Sequence, residues 1–241
     1  MGRSSVLARV LSLAFAAAAV RGTPAQSRDT TRAAVERAAQ GARALRVVVS
    51  TSRRRLWVVR GASDTLRSAR VGVASERTLR FAGRTWRFAT PVGIRAVVRR
   101  ETDPIWIRPD WSYVEVARDH RFRIESLAVD TPRPLSGGGA LVVRGRRVGV
   151  LRASTFEPWP VDDEIVIDRV LFVPPPWTDN RAMRGILGGY RLDLGDGFGI
   201  HGTDDPESVG RAVTHGCLRL GDADLAWVYA HVPTGTRVYI F

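Results

Sequence analysis

The chain has 241 residues and is 44% hydrophobic, enough for one domain with a sizeable core or at most two small ones. Its formal net charge is +13, and all 37 basic residues are arginine. They are scattered, with no helix-turn-helix, zinc-finger or RNP pattern beside them. That argues against a nucleic-acid partner and leaves only a generic attraction to anionic wall polymers or lipid surfaces. The single cysteine rules out an internal disulfide, so the fold must rest on its hydrophobic core.

In chain order the first feature is a leader. Arg3 and Arg9 precede the apolar run Val10–Val20, too short to span a bilayer comfortably and suited to a signal-peptide core. Thr23 and Ala25 fit cleavage before Gln26, so residues 1–25 are expected to be a signal peptide with no stable membrane span after its removal. The folded part is then expected in the periplasm or cell envelope, where an unpaired thiol is open to oxidation and a reactive role for it is the better explanation. Residues 26–44 carry Ala34, Val35, Ala38 and Ala42 at near-helical spacing and fit a tether or a short helix.

From residue 45 to 241 the pattern becomes that of a mainly β domain. Leu45–Ser50, Arg55–Arg60 and Thr65–Val73 are short runs rich in valine and aromatics, separated by turn material such as Gly61-Ala62-Ser63-Asp64, and their spacing favours antiparallel pairing. In Thr90-Pro91-Val92-Gly93, proline fixes one dihedral and glycine frees another. Residues 112–181, approximately, exceed what the core requires and read as an insertion or lid. Within it Gly137-Gly138-Gly139 is a flexible turn leading into the hairpin Ala140–Val143 and Arg147–Leu151. No Gly-Lys-Ser/Thr follows, so it is not a phosphate loop. Glu164–Val173 is a strand pair or one long strand, closed by Pro174-Pro175-Pro176.

Two strand pieces follow, Gly189–Leu194 and Gly197–His201, with His201 ending the second. Asp204-Asp205-Pro206-Glu207 is acidic, but its proline marks a helix-start loop rather than a site. Asp222–His231 reads as a helix with acids in the first turn and histidine in the last, as the helix dipole favours; Pro233 stops it, and Thr236–Phe241 is a closing strand. No His-Glu-x-x-His or paired cysteines occur, and His120 and His231 stand in unrelated contexts, so no metal and no cofactor is expected. Of the seven tryptophans, Trp159 and Trp177 beside prolines are the candidates for stacking on sugars.

The chemistry concentrates in His201-Gly202-Thr203 and Thr214-His215-Gly216-Cys217-Leu218-Arg219-Leu220. Attack on a carbonyl by cysteine needs a thiol, an imidazole to take its proton and backbone donors for the oxyanion. Gly216 permits a tight turn with N–H groups aimed at one oxygen, and Arg219 offers a planar fork for a substrate carboxylate. On spacing alone either His215 or His201 serves as the base.

This order of residues resembles the motif of the L,D-transpeptidases with YkuD-type domains: His-Gly at a strand end, a spacer, then Ser/Thr-His-Gly-Cys, a hydrophobic residue and Arg or Asn. Thr90-Pro91-Val92-Gly93 is similar to an upstream segment of the same family. Papain-like and NlpC/P60-type peptidases place the cysteine before the histidine, the reverse of this chain. The resemblance implies a β-sandwich with mixed sheets, a few short helices and a central insertion. It implies His201 as base, oriented by the carbonyl of Gly202, and Cys217 as nucleophile. His215 then shapes the oxyanion pocket or touches substrate, with Thr214, Gly216 and Arg219 on the substrate side. The reaction it implies is acylation of Cys217 by a peptidoglycan tetrapeptide stem at the L-to-D bond, then transfer to an amine. Water as acceptor gives an L,D-carboxypeptidase instead; a peptidoglycan-binding module without turnover, or a cysteine hydrolase of another bond, are the other readings.

Overall fold

The valine run of Arg46–Ser50 is buried on both faces, and the reason organises the fold, a computed structural model that describes residues 32–241. The expected signal peptide, residues 1–25, lies outside the described residues. Val47 and Val49 are fully buried and point into the main core, where Val238 and Ile240 join them. Val48 points the other way, towards helix α1 (Arg32–Gly41), whose Val35 and Ala39, four residues apart and so on one helical face, pack with Tyr239.

Arg46–Ser50 is the centre of a five-stranded sheet in the order Asp64–Arg70, Arg55–Arg60, Arg46–Ser50, Arg237–Ile240, Gly93–Ala96. All neighbours are antiparallel except Arg46–Ser50 and Arg237–Ile240, which run parallel. The first three strands pair antiparallel, as their spacing indicated, and the parallel pair makes the sheet mixed, as the resemblance implied. A parallel pair needs a long crossover rather than a tight turn, and here nearly the whole domain lies between the two strands. A second, four-stranded sheet is also mixed: Leu218–Arg219 is parallel to Gly199–His201, which is antiparallel to Tyr190–Asp193, in turn antiparallel to Arg99–Thr102. The sheets and helix α3 (Asp222–His231) close one core containing Leu56, Val58, Leu192, Ile200, Leu218, Leu225 and Val228. The chain is thus mainly β with three short α-helices among the described residues.

Residues 110–173 build separate layers. Helix α2 (Asp110–Asp119) was not legible in advance, although Tyr113, Val114 and Ala117 form a buried helical face. It packs beside Arg123–Ser126, Ile165–Ile167 and Val170–Val173, a three-stranded sheet. A four-stranded meander, Arg133–Pro134, Ala140–Arg144, Arg147–Arg152 and Thr155–Pro158, shares a second core with it through Leu141, Val148, Ile165 and Phe172. The expected hairpin is present in that meander. Glu164–Val173 resolves as a strand pair: Asp168 and Arg169 both take positive φ, 52° and 60°, the twist of a two-residue hairpin turn. Asp205 precedes a short 3-10 turn, Pro206–Ser208. Among the described residues no helix is long and apolar enough to cross a membrane.

Candidate active site

Sheet register brings the chemical residues together. Ile200 pairs with Leu218 and His201 with Arg219 in the parallel ladder. Side chains alternate along a strand while cross-strand partners share a face. Ile200 and Leu218 are sealed in the core, so His201, Arg219 and Cys217, one step to either side, belong to the opposite face. Arg191 pairs with His201 on the next strand, and Glu101 with Arg191 beyond it, which completes a polar row. That face opens into a cavity of about 630 Å³ lined by His201, Thr214, His215, Gly216, Cys217 and Arg219, with Trp106, Ile107, Trp111 and Leu187 as apolar wall. Its size suits a drug-sized ligand.

The cysteine loop is held on both sides. Gly72 exchanges two backbone hydrogen bonds with Arg219, of 2.8 and 2.9 Å, and Ser75 N–H donates to the Thr214 carbonyl at 2.9 Å. The Thr214 hydroxyl is committed to the loop itself, donating to the Cys217 carbonyl at 2.7 Å. Gly216 has φ of +147°, and a Cβ there would lie 2.7 Å from Cε1 of Phe198. Gly216→Ala is therefore expected to lower stability by roughly 1–3 kcal/mol through backbone strain, read as a lower midpoint in urea unfolding, and to displace Cys217. An unchanged midpoint would show that the loop tolerates a side chain.

His201 is buried, 5% exposed, at the strand end that the sequence indicated. Its Nδ1 lies 2.7 Å from the Gly202 carbonyl. A carbonyl only accepts, so Nδ1 carries the proton and the neutral ring keeps its lone pair on Nε2. Burial pulls the His201 pKa down to about 4; the hydrogen bond to Gly202 opposes this, while the guanidiniums of Arg219 and Arg191 add to it. A glycine follows because the backbones touch here: a Cβ on Gly202 would sit 3.0 Å from Cα of Gly188, and Gly202 N–H donates to Leu187 at 2.8 Å.

Burial raises the Cys217 thiol; a backbone hydrogen bond from Gly199 and the charges of Arg191 and Arg219 oppose it, and Asp193 adds to it. The Cys217 thiol donates to the Gly197 carbonyl at 3.7 Å and shares the cavity with the neutral imidazole of His201, so a proton transfer between them has to accompany attack rather than precede it. Arg219 makes no ion pair among the described residues, and its Nε is buried without a partner. Burial lowers its pKa, while Asp204 and Asp205 act in the opposite sense.

These features, histidine at a strand end, a glycine carbonyl on its Nδ1 and a glycine-bent cysteine loop on the adjacent strand, coincide with a family match over most of the chain. The sequence model of the L,D-transpeptidase catalytic domain, YkuD, matches residues 44–240. The chain belongs to the L,D-transpeptidase family. YkuD of Bacillus subtilis (strain 168), named for L,D-transpeptidase activity, is 46% identical over 57 residues, 23% of this chain and 35% of that protein. YbiS of Escherichia coli (strain K12), similarly named, is 42% identical over 52 residues, 22% of this chain and 17% of that one. The aligned stretch therefore spans about a third of the YkuD relative and less of YbiS. The crystal structure of an L,D-transpeptidase from Xylanimonas cellulosilytica DSM 15894 aligns with 84% of this chain and 62% of that one at 15% identity, with a TM-score of 0.43.

Within this L,D-transpeptidase domain several residues of the cavity had no sequence signal. Arg191 is bridged to Glu101 at 3.3 Å and Asp193 at 3.4 Å and contributes positive charge beside His201. His215 is clamped: its ring stacks on Trp111 at 3.8 Å, meets Phe88 edge-on at 4.4 Å, and its Nε2 lies 2.8 Å from Glu115 Oε2. Trp111 and Glu115 share a face of α2 because they are four residues apart, but nothing local announces a contact 100 residues away. Trp159 packs against the second core and Trp177 is exposed; neither lines the cavity. Among the described residues no group of three or more His, Cys, Asp or Glu could hold a metal ion.

Proposed function

We propose that this protein is an exported cysteine transpeptidase of the cell wall that acylates Cys217 with a peptidoglycan tetrapeptide stem and passes the acyl group to an amine. The reading rests above all on one observation, a neutral His201 with its lone pair on Nε2, on the same sheet face and in the same cavity as Cys217. In the first half-reaction His201 Nε2 takes the thiol proton as sulfur bonds to the carbonyl carbon at the L-to-D peptide bond. Backbone N–H groups around Gly216 and Cys217 receive the oxyanion. The C–N bond then breaks, His201 returns the proton to the departing amine of the terminal D-residue, and a thioester remains. Attack by an amine on the thioester forms the new amide and frees Cys217. Residues 112–181 act as a lid beside the site, and the N-terminal leader carries the domain to the periplasm or cell envelope.

Arg219 is assigned to the substrate carboxylate. A charged hydrogen bond contributes about 1.5–3 kcal/mol, so Arg219→Ala is expected to raise KM about 10- to 100-fold while kcat for bound substrate changes little. A kcat loss with KM unchanged would assign Arg219 to the transition state instead.

The deciding experiment is mass spectrometry of the purified protein with tetrapeptide-containing muropeptides. The expected result is a covalent acyl adduct on Cys217, release of the terminal D-residue and a cross-linked or exchanged product when an amine is present. Release of the D-residue to water alone would identify an L,D-carboxypeptidase. Binding without adduct or release would sink the enzymatic reading and leave a peptidoglycan-binding module.

A further inference from the structure

His215 carries a second oriented imidazole into the cavity, this one paired with a carboxylate. Glu115 Oε2 accepts from Nε2 at 2.8 Å, and the other oxygen of the same carboxylate, Oε1, is taken by Arg77 at 3.0 Å. A carboxylate flanked in this way only accepts, so Nε2 carries a hydrogen and Nδ1 is the position left to exchange a proton with the cavity. Burial would raise the Glu115 pKa, but the hydrogen bond from His215 and the charge and hydrogen bond of Arg77 act against it, and the group is held below the usual carboxylate range. Nδ1 makes no hydrogen bond among the described residues and is not one of the buried polar atoms without a partner. The side chain remains 27% exposed and lines the cavity shared with Cys217. The rings of Trp111 and Phe88 prevent it from swinging away. The site therefore holds two oriented imidazoles: His201, fixed by the Gly202 carbonyl, and His215, fixed by Glu115.

We propose that the two divide the reaction: His201 serves Cys217 during acylation, and His215 Nδ1, oriented by Glu115, is the base for the acceptor amine. This rests on the transpeptidase reading above. As the uncharged amine attacks the thioester carbonyl, one of its protons passes to His215 Nδ1 and the C–S bond breaks. Sulfur leaves as thiolate and is reprotonated from solvent, while His215 releases its proton to solvent. Glu115 is a positioning residue: it touches no reacting atom, and its carboxylate both sets the tautomer and stabilises the imidazolium that forms. Placing this group on α2 makes the inserted region part of acceptor handling, a link that the cysteine motif alone does not contain.

The test separates the half-reactions by mass spectrometry under single-turnover conditions. Protein is first acylated with a tetrapeptide muropeptide and then chased with D-methionine as the amine acceptor. In Glu115→Gln, an isosteric change, acyl-enzyme is expected to form at the wild-type rate, whereas its decay on chase slows about 100-fold, the scale of a lost general base, and acyl-enzyme accumulates. His215→Gln, which leaves α2 intact, is expected to act in the same direction, with circular dichroism melts verifying that each variant folds. Equal slowing of both steps, as a merely structural role would give, overturns the inference, and so does decay at the wild-type rate. Wild-type protein that never acquires the acyl mass overturns the transpeptidase reading itself, an outcome distinct from normal acylation with normal transfer.

Discussion

Cys217→Ser is expected to eliminate both the acyl adduct and exchange of the terminal D-residue, a loss of about 10⁴-fold or more, as for other removed nucleophiles. The geometry of the loop survives the change, since Gly216 and the Thr214 hydroxyl set it. What changes is the acidity of the attacking group. A base with a pKa of about 4 removes a proton from sulfur only in concert with C–S bond formation, and an alcohol gives up its proton with far greater difficulty than a thiol. The family resemblance further implies that wild-type protein forms an adduct with carbapenems, which Cys217→Ser should lack. Retention of full exchange by Cys217→Ser would remove the nucleophile assignment and the proposed mechanism with it.

The second large effect belongs to His201. His201→Ala is expected to slow acylation by about 10²–10⁴-fold, the range for general-base catalysis, in a domain that still folds. In the wild type kcat/KM for acylation should be level from about pH 5 upward and fall only as His201 is protonated near pH 4. A preformed thiolate–imidazolium pair would give a bell centred higher, and such a profile would refute the resting state described here.

The same depressed pKa predicts a stability slope. Histidine in the unfolded chain titrates near 6.5 and His201 in the fold near 4, so between these values the unfolded state binds the additional proton. Stability accordingly rises with pH across that window. The penalty is complete below about pH 4 and absent above about 6.5, and from the separation of the two values it amounts to about 3 kcal/mol. Urea unfolding of wild type and His201→Gln between pH 4 and 7 checks it: the variant should lose this part of the slope.

What was legible in the sequence was what is local. His201 at a strand end, helix α3 from Asp222 to His231 and the hairpin around Gly145 follow from short apolar runs, charges at the helix ends, a proline stop and turn residues over spans of about ten residues, and all three are present in the structure. Helix α2 failed to register because its polar and apolar residues, from Trp111 to Asp119, follow Pro109 without a side-chain cap, in a stretch dominated by short strands. The parallel pairing of Arg46–Ser50 with Arg237–Ile240 had no local signature, since a parallel ladder joins strands remote in sequence.

The candidate site divides along the same line. By itself the sequence determined the residue types and their order: one cysteine, the histidine–glycine pair that precedes it, the glycine that bends the loop and the arginine that follows. Tertiary structure alone decided which histidine nitrogen is free, because that depends on the acceptor met by the other nitrogen, the Gly202 carbonyl for His201 and the Glu115 carboxylate for His215. It alone brought Arg191 alongside His201 and Trp111 against His215. The physical reason is that hydrogen-bond partners and low dielectric are properties of a place in the fold, assembled from segments remote in sequence, such as Glu115 with His215 and Gly72 with Arg219, whereas a motif records only what neighbours along the chain share.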